Sequence, residues 1–157
     1  MNDIPGVAIL GCGLIGQKRA KALKGAHLRI CADLDAGRAQ QLARSYPDAE
    51  STTDWRSAIH RDDVDIVIVA TTNQALVETS LEAANAGKHI IVEKPAARNV
   101  AELDTLINAA QRNDVLVRVG VKHRYHPALL RAKELADAGE LGELMFIRGR
   151  YGHGGRI

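Results

Sequence analysis

Two stretches of this 157-residue chain set ligand-holding or reactive residue types at spacings that chemistry can use. The first is Gly11-Cys12-Gly13-Leu14-Ile15-Gly16, a G-x-G-x-x-G run between a short apolar stretch and a helical one. Gly11 permits a tight turn, Gly13 lets the backbone approach a pyrophosphate, and Gly16 lets helix and strand pack closely. An anion would sit at the N-terminus of the helix that Leu14 and Ile15 open, which puts both residues among the expected cofactor contacts. Asp33 follows about 20 residues after the turn, where a carboxylate accepts hydrogen bonds from an adenosine ribose. Asp35 is a second acidic candidate. A carboxylate there repels a 2′-phosphate, and no arginine or lysine immediately follows Asp33, so the reading favours NAD over NADP. Taken without context, the same glycines also suit plain turns or the S-adenosylmethionine site of a related doubly wound fold, and Asp33 alone also suits a solvated strand end.

The second stretch is Glu93-Lys94-Pro95, an anion and a cation side by side at the end of the apolar run HIIV. A lysine at that place can polarise or protonate a developing alkoxide if its surroundings favour the neutral form. A solvated ion pair ahead of a turn proline is the bland alternative. Thr71-Thr72-Asn73, after the run DIVIVA, adds hydroxyls and an amide at what would be the same edge of a sheet. Thr72 or Asn73 also suits the N-cap of the next helix.

These residues need a scaffold, and the pattern between them supplies one. Short β-rich apolar runs alternate with longer amphipathic ones, as in successive βαβ units around a parallel sheet covered on both faces. Strands are predicted at Val7 to Leu10, His27 to Asp33, Ala49 to Ser51, Asp65 to Ala70, His89 to Val92 and Val115 to Gly120. DIVIVA, too uniformly apolar for a sheet with one wet face, is expected to be central. Helices are predicted from the glycine loop to about Lys24, then at Ala36 to Arg44, Asp54 to His60, Gln74 to Ala86, Val100 to Gln111, and Pro127 to about Ala138, the last opened by a proline whose missing N–H costs nothing there. The fold class is therefore α/β, a Rossmann-type doubly wound parallel sheet. Leu144 to Tyr151 alternates in character and is expected to be the first strand of a second α/β domain. The division predicted is a dinucleotide-binding domain over 1–121, followed by a connecting loop, helix and strand over 122–157.

Composition narrows the function classes. Apolar residues make up 46%, charged residues 25% and the net charge is +2, which suits an ordinary folded domain and argues against disorder. Basic residues are scattered among acidic ones and aromatics reach only 3%, so no footprint for nucleic acid or membrane is present. Apolar runs stay near strand length, far below the roughly 20 residues of a membrane span. Cys12 and Cys31 lack metal-ligand spacing and read as buried thiols of a reducing compartment, giving a cytoplasmic expectation. His123 and His126 have no third partner at a useful spacing, so no metal site is expected.

AGKHIIVEKPAA, Ala86 to Ala97, together with the glycine loop and A-T-T-N, resembles the Gfo/Idh/MocA family of glucose-fructose oxidoreductase and inositol dehydrogenase relatives, over essentially the whole chain from Val7 to Arg156. The resemblance implies that Lys94 is the catalytic lysine that orients substrate and assists proton transfer. It also implies that Glu93 helps to place the nicotinamide side and that Lys94-Pro95 is a cis peptide. Gly120 to Pro127 resembles the family's G-F-N-x-R-F-x-P loop, with Arg124 and Pro127 matching and Lys122 setting a charge where the family usually has the neutral amide of asparagine. The tail RYGHGGR resembles relatives from polysaccharide and sugar-nucleotide pathways.

The implied reaction is hydride transfer between NAD and a secondary alcohol of a sugar, sugar nucleotide or cyclitol. The family continues into a further α/β domain that closes the substrate site, so the 157 residues alone are expected to bind cofactor with little turnover. A final strand without its sheet leaves an edge that invites self-association, and a homo-oligomer is expected. The competing readings are a free-standing NAD(H)-binding or sensing module and a methyl-donor enzyme, which would leave Lys94 without a task.

Overall fold

The computed structural model describes residues 4–150 and 152. Six parallel strands, β1 (Gly6–Leu10), β2 (His27–Ala32), β3 (Glu50–Thr52), β4 (Ile66–Val69), β5 (His89–Val92) and β6 (Val117–Val119), form one sheet in the order β3-β2-β1-β4-β5-β6. The connecting helices are α1 (Leu14–Lys21), α2 (Ala36–Ala43), α3 (Trp55–Ile59), α4 (Leu76–Asn85) and α5 (Val100–Arg112). DIVIVA gives a central strand, as its uniform apolarity predicts, with β4 paired to β1 and β5.

Strand alternation sorts the core into two layers. Ala8, Leu10, Ile30, Ala32, Val67, Val69, Ile90 and Val92 turn to one face and meet Ile59 of α3, Leu76, Ala83 and Ala84 of α4, and Leu106 and Ala109 of α5. Val7, Ile9, Leu28, Cys31 and Ile68 turn to the other and meet Ala20 of α1 with Ala39, Leu42 and Ala43 of α2. Adjacent residues along β1 thus point to opposite faces and are all buried, which is why the runs read as continuously apolar. Small residues dominate the helix side of both layers, letting the helices lie close to the sheet. Lys88, within the A-G-K-H run, is half-buried and donates through Nζ to the carbonyls of Arg61 (3.0 Å) and Val64 (2.7 Å), so it ties the loop before β4 to the start of β5.

The chain divides into two compact units, Met1–Gly120 and Val121–Ile157. The second holds a 3-10 turn, Lys122–Tyr125, and α6 (Pro127–Asp137), with Pro127 in the first turn as predicted and the His126 side chain accepting the Ala128 amide at 3.3 Å. No residue of α6 is buried. The terminal strand departs from expectation: residues 144–150 form no strand, and Tyr151, with most of the tail, lies outside the described residues. Leu144, Met145, Phe146 and Ile147 are exposed. Alternation gives a segment one apolar face, but a strand is made by a neighbour's hydrogen bonds, and among the described residues none pairs with this one.

Candidate nucleotide cleft and catalytic turn

Strand order reverses between β1 and β4: from β1 the chain moves outward to β2 and β3, then returns and moves the other way from β4. At the carboxyl ends of such neighbours the loops diverge and leave a crevice. A cleft of about 480 Å³ lies there, lined by Gly11 and Gly13 after β1, Asp33 and Asp35 after β2, Arg38 of α2, Thr53 and Trp55 after β3, and Thr71, Thr72 and Thr79 from the β4 side.

Each glycine of the loop has its own reason. Gly11 stands at φ +91°, and a Cβ there would press on the Ala70 carbonyl. A Cβ on Gly16 would overlap the Gly11 carbonyl, so helix and loop touch through it. Gly13 differs, because its Cβ would meet no protein atom within 4 Å. No close contact among the described residues explains that glycine; it lies at the cleft wall, where a bulky ligand would need the space. Above it, α1 starts with Gly13 as an N-cap that offers no side chain, and its first turn carries no acidic residue. Helices α2, α3 and α5, by contrast, are capped by Asp35, Asp54 and Asn99. The free first-turn amides of α1 are the donors an anion requires.

Asp33 is half-buried at the end of β2 and is set by backbone. One oxygen accepts the Cys12 amide at 2.7 Å and the other accepts the Asp35 amide at 2.9 Å. The carboxylate therefore joins the glycine loop to β2 and keeps acceptor capacity toward the cleft. Directly beneath, the Cys12 and Cys31 thiols are both fully buried. The hydrogen bond to Cys31, then burial, then the nearby charges of Cys31 and Asp33 push the Cys12 thiol far above its usual range. It stays neutral and packs the loop.

On the β4 side, Thr71 and Thr72 line the cleft while Asn73 is exposed. Neither Thr72 nor Asn73 caps the next helix, which corrects that alternative: the N-cap of α4 is Ala75, with no side-chain bond, and Ala75 N–H closes a turn onto the Thr72 carbonyl at 2.9 Å. The helix therefore begins two residues later than Gln74. Leu14 and Ile15 sit on the exposed first turn of α1.

The Glu93-Lys94-Pro95 turn sits at the carboxyl end of β5. Lys94–Pro95 is cis, as the resemblance implies. Glu93 accepts from Arg19 of α1, through Nε at 2.6 Å and also through Nη2. Gly120, after β6, presses on this pair: a Cβ there would lie 2.9 Å from both the Arg19 guanidinium and the Glu93 carboxylate. Lys94 is exposed. Arg124 lies in the second unit, exposed on the 3-10 turn, with its amide donating to the Val121 carbonyl at 3.1 Å.

Three participants were missed by sequence reasoning. Arg19 meets Glu93 across 74 positions. Arg38 and Trp55 reach the cleft from helix starts rather than from a motif. Among the described residues no group of three His, Cys, Asp or Glu side chains converges as a metal site would, and no helix is long and apolar enough to cross a membrane.

Residues 6–121, the sheet with its glycine loop and E-K-P turn, match the family model described as the oxidoreductase family, NAD-binding Rossmann fold. The chain belongs to the Gfo/Idh/MocA family. It is 32% identical over 149 residues to an inositol 2-dehydrogenase of Salmonella typhimurium, covering 91% of this chain and 44% of that enzyme. It is 35% identical over 123 residues to a levoglucosan dehydrogenase of Pseudarthrobacter phenanthrenivorans, covering 78% of this chain and 32% of that enzyme. Among solved structures it matches GenD2 from gentamicin A biosynthesis in complex with NAD, with a TM-score of 0.82 and 31% identity over 87% of this chain and 40% of that one. The chain thus spans less than half the length of these relatives, and what it shares with them is the NAD-binding Rossmann domain of an oxidoreductase family. The cradle at Gly13, the uncapped α1 and the fixed Asp33 suit a dinucleotide.

Proposed function

We propose that this chain binds NAD(H) along the β1–β4 crevice and contributes the cofactor domain and Lys94 to an oxidoreductase acting on a secondary alcohol of a sugar, sugar nucleotide or cyclitol. The observation that carries the reading is Gly13, a glycine whose Cβ would meet none of the described residues, set between an uncapped helix start and a ribose-ready carboxylate. In this assignment the amides of Leu14, Ile15 and Gly16 and the backbone at Gly11 and Gly13 hold the pyrophosphate, and Asp33 accepts from the adenosine ribose. Thr71, Thr72 and Asn73 border the middle of the cofactor, Glu93 helps to place its nicotinamide side, and Arg124 is assigned a contact from the family-like loop.

Bound NAD supplies the hydride acceptor. Lys94 is assigned the proton: its free amine accepts a hydrogen bond from the substrate hydroxyl, takes that proton as the carbinol is oxidised, and passes it to solvent. Relatives named for inositol and levoglucosan support a sugar-like or cyclitol substrate. Because Lys94 is exposed, water reaches the reacting end, and we assign these 157 residues cofactor binding with little turnover by themselves. NAD is preferred to NADP on the charge of Asp33, and the domain boundary is placed at 121/122. A homo-oligomer is part of the same proposal.

Calorimetric titration of the purified chain with NADH and NADPH, with Asp33→Ala alongside, tests the reading. Saturable NADH binding that weakens in the variant supports it. Absence of binding by either nucleotide to a folded chain overturns it.

A further inference from the structure

Glu93 is assigned to the nicotinamide side of the cofactor, but Arg19, its partner in an ion pair, has no part in the chemistry assigned so far. Arg19 belongs to α1, the helix whose N-terminus forms the anion cradle, and Glu93 belongs to the turn that carries Lys94. The pair is partly sheltered, with side chains 28% and 13% exposed, and one Glu93 oxygen takes both guanidinium contacts. The Glu93 amide donates to the Val69 carbonyl at 2.9 Å, and its carbonyl accepts the Ala96 amide at 2.9 Å, so the backbone of the turn is already held without the guanidinium. Gly120 lies against both side chains, and a Cβ there would come within 2.9 Å of the Arg19 guanidinium and of the Glu93 carboxylate, so a larger residue would have to displace the pair. What the arginine adds is a positive charge fixed beside the one carboxylate of the turn.

We infer that Arg19 sets how the site weighs oxidised against reduced nicotinamide, by fixing and neutralising Glu93. The inference rests on the cofactor reading above, which puts the nicotinamide at the β5 end. The oxidised ring carries a positive charge and the reduced ring none, so any net charge beside it alters one affinity and not the other. An unpaired Glu93 would hold NAD+ more tightly than NADH, whereas an unpaired Arg19, acting with Lys94, would do the reverse. The neutral pair leaves the balance to Lys94. Arg19 is thus a positioning residue that acts through Glu93.

The test measures Kd for NAD+, NADH and ADP-ribose, which lacks the ring, at pH 8 on the whole chain. Arg19→Met is expected to raise the ratio Kd(NADH)/Kd(NAD+) about five- to tenfold, the effect of one unit charge in a partly wet site, while ADP-ribose binding stays within about twofold. Glu93→Gln is expected to lower the ratio, and Arg19→Met combined with Glu93→Gln to bring it back near the starting value. A structural role would weaken all three ligands together; an unchanged ratio in Arg19→Met overturns the inference and leaves the cofactor reading intact. Should Arg19→Met fail to fold by circular dichroism, Glu93→Gln decides alone, a lowered ratio supporting the inference and an unchanged one overturning it. Failure of the unaltered chain to bind any of the three removes the cofactor reading itself.

Discussion

The two acidic residues that end β2 and β5 occupy corresponding places in the sheet, yet they are held in different ways. Asp33 is held by backbone amides, from Cys12 and Asp35, whereas Glu93 is held by a side chain, Arg19. Amides are fixed by the loop and strand that carry them, so Asp33 cannot move unless the fold does. A guanidinium reaches its partner through rotatable bonds, and its charge can be removed by one substitution. The β2 end therefore works as a rigid template, and the β5 end as an adjustable one.

The sharpest way to break that comparison lies in the loop from which the template is built. Gly16→Val drives side-chain atoms into the Gly11 carbonyl and is expected to destabilise the fold by about 3 kcal/mol or more, read as a lowered urea midpoint. Gly13→Ala puts its Cβ in open space, so the midpoint should hold while NADH affinity falls on the order of a hundredfold through lost pyrophosphate contact. Equal unfolding by both would mean that Gly13 is also a packing residue. Next in size, Asp33→Ala strands the Cys12 amide and is expected to weaken NADH about ten- to thirtyfold, with loss of about 1–2 kcal/mol of stability; an unchanged Kd would detach Asp33 from the ribose. The smallest effect concerns Arg38, which lines the cleft 3.5 Å from Asp35 with most of its side chain in water. Arg38→Gln should weaken NADPH about threefold and leave NADH alone, because a screened surface cation offers a 2′-phosphate only modest attraction. Equal effects on both nucleotides would remove it from cofactor choice.

Much of this was legible in the sequence, and the reasons are local. The glycine loop announces itself because Gly11 and Gly16 make close approaches that admit no side chain and Gly13 stands between them at the cleft, and Asp33 follows from its distance along the chain to that loop. DIVIVA is central because a strand covered on both faces has no polar alternation to show. Arg19 was not legible: on α1 it reads as one of several basic residues near a helix end, and only the sheet brings Glu93 to it. Arg38 and Trp55 escaped for the same reason, since neither adjoins Asp33 in sequence and only α2 and α3 bring them to the cleft. The expected strand at Leu144 to Tyr151 failed in another way. Pairing depends on a partner that local pattern cannot supply, and residues 144–150 have none among the described residues.

Trp55 opens α3 at the cleft wall, under the Arg56 guanidinium 4.0 Å from the ring centre, and it is the single tryptophan of the chain. Its position makes the protein its own optical instrument. Indole emission overlaps the absorption band of reduced nicotinamide, so NADH settling in the crevice should quench one well-placed fluorophore and light up the cofactor by energy transfer, while NAD+ cannot accept that energy. The oxidation state of the bound dinucleotide can thus be followed in real time, without a label, from a residue that does no chemistry.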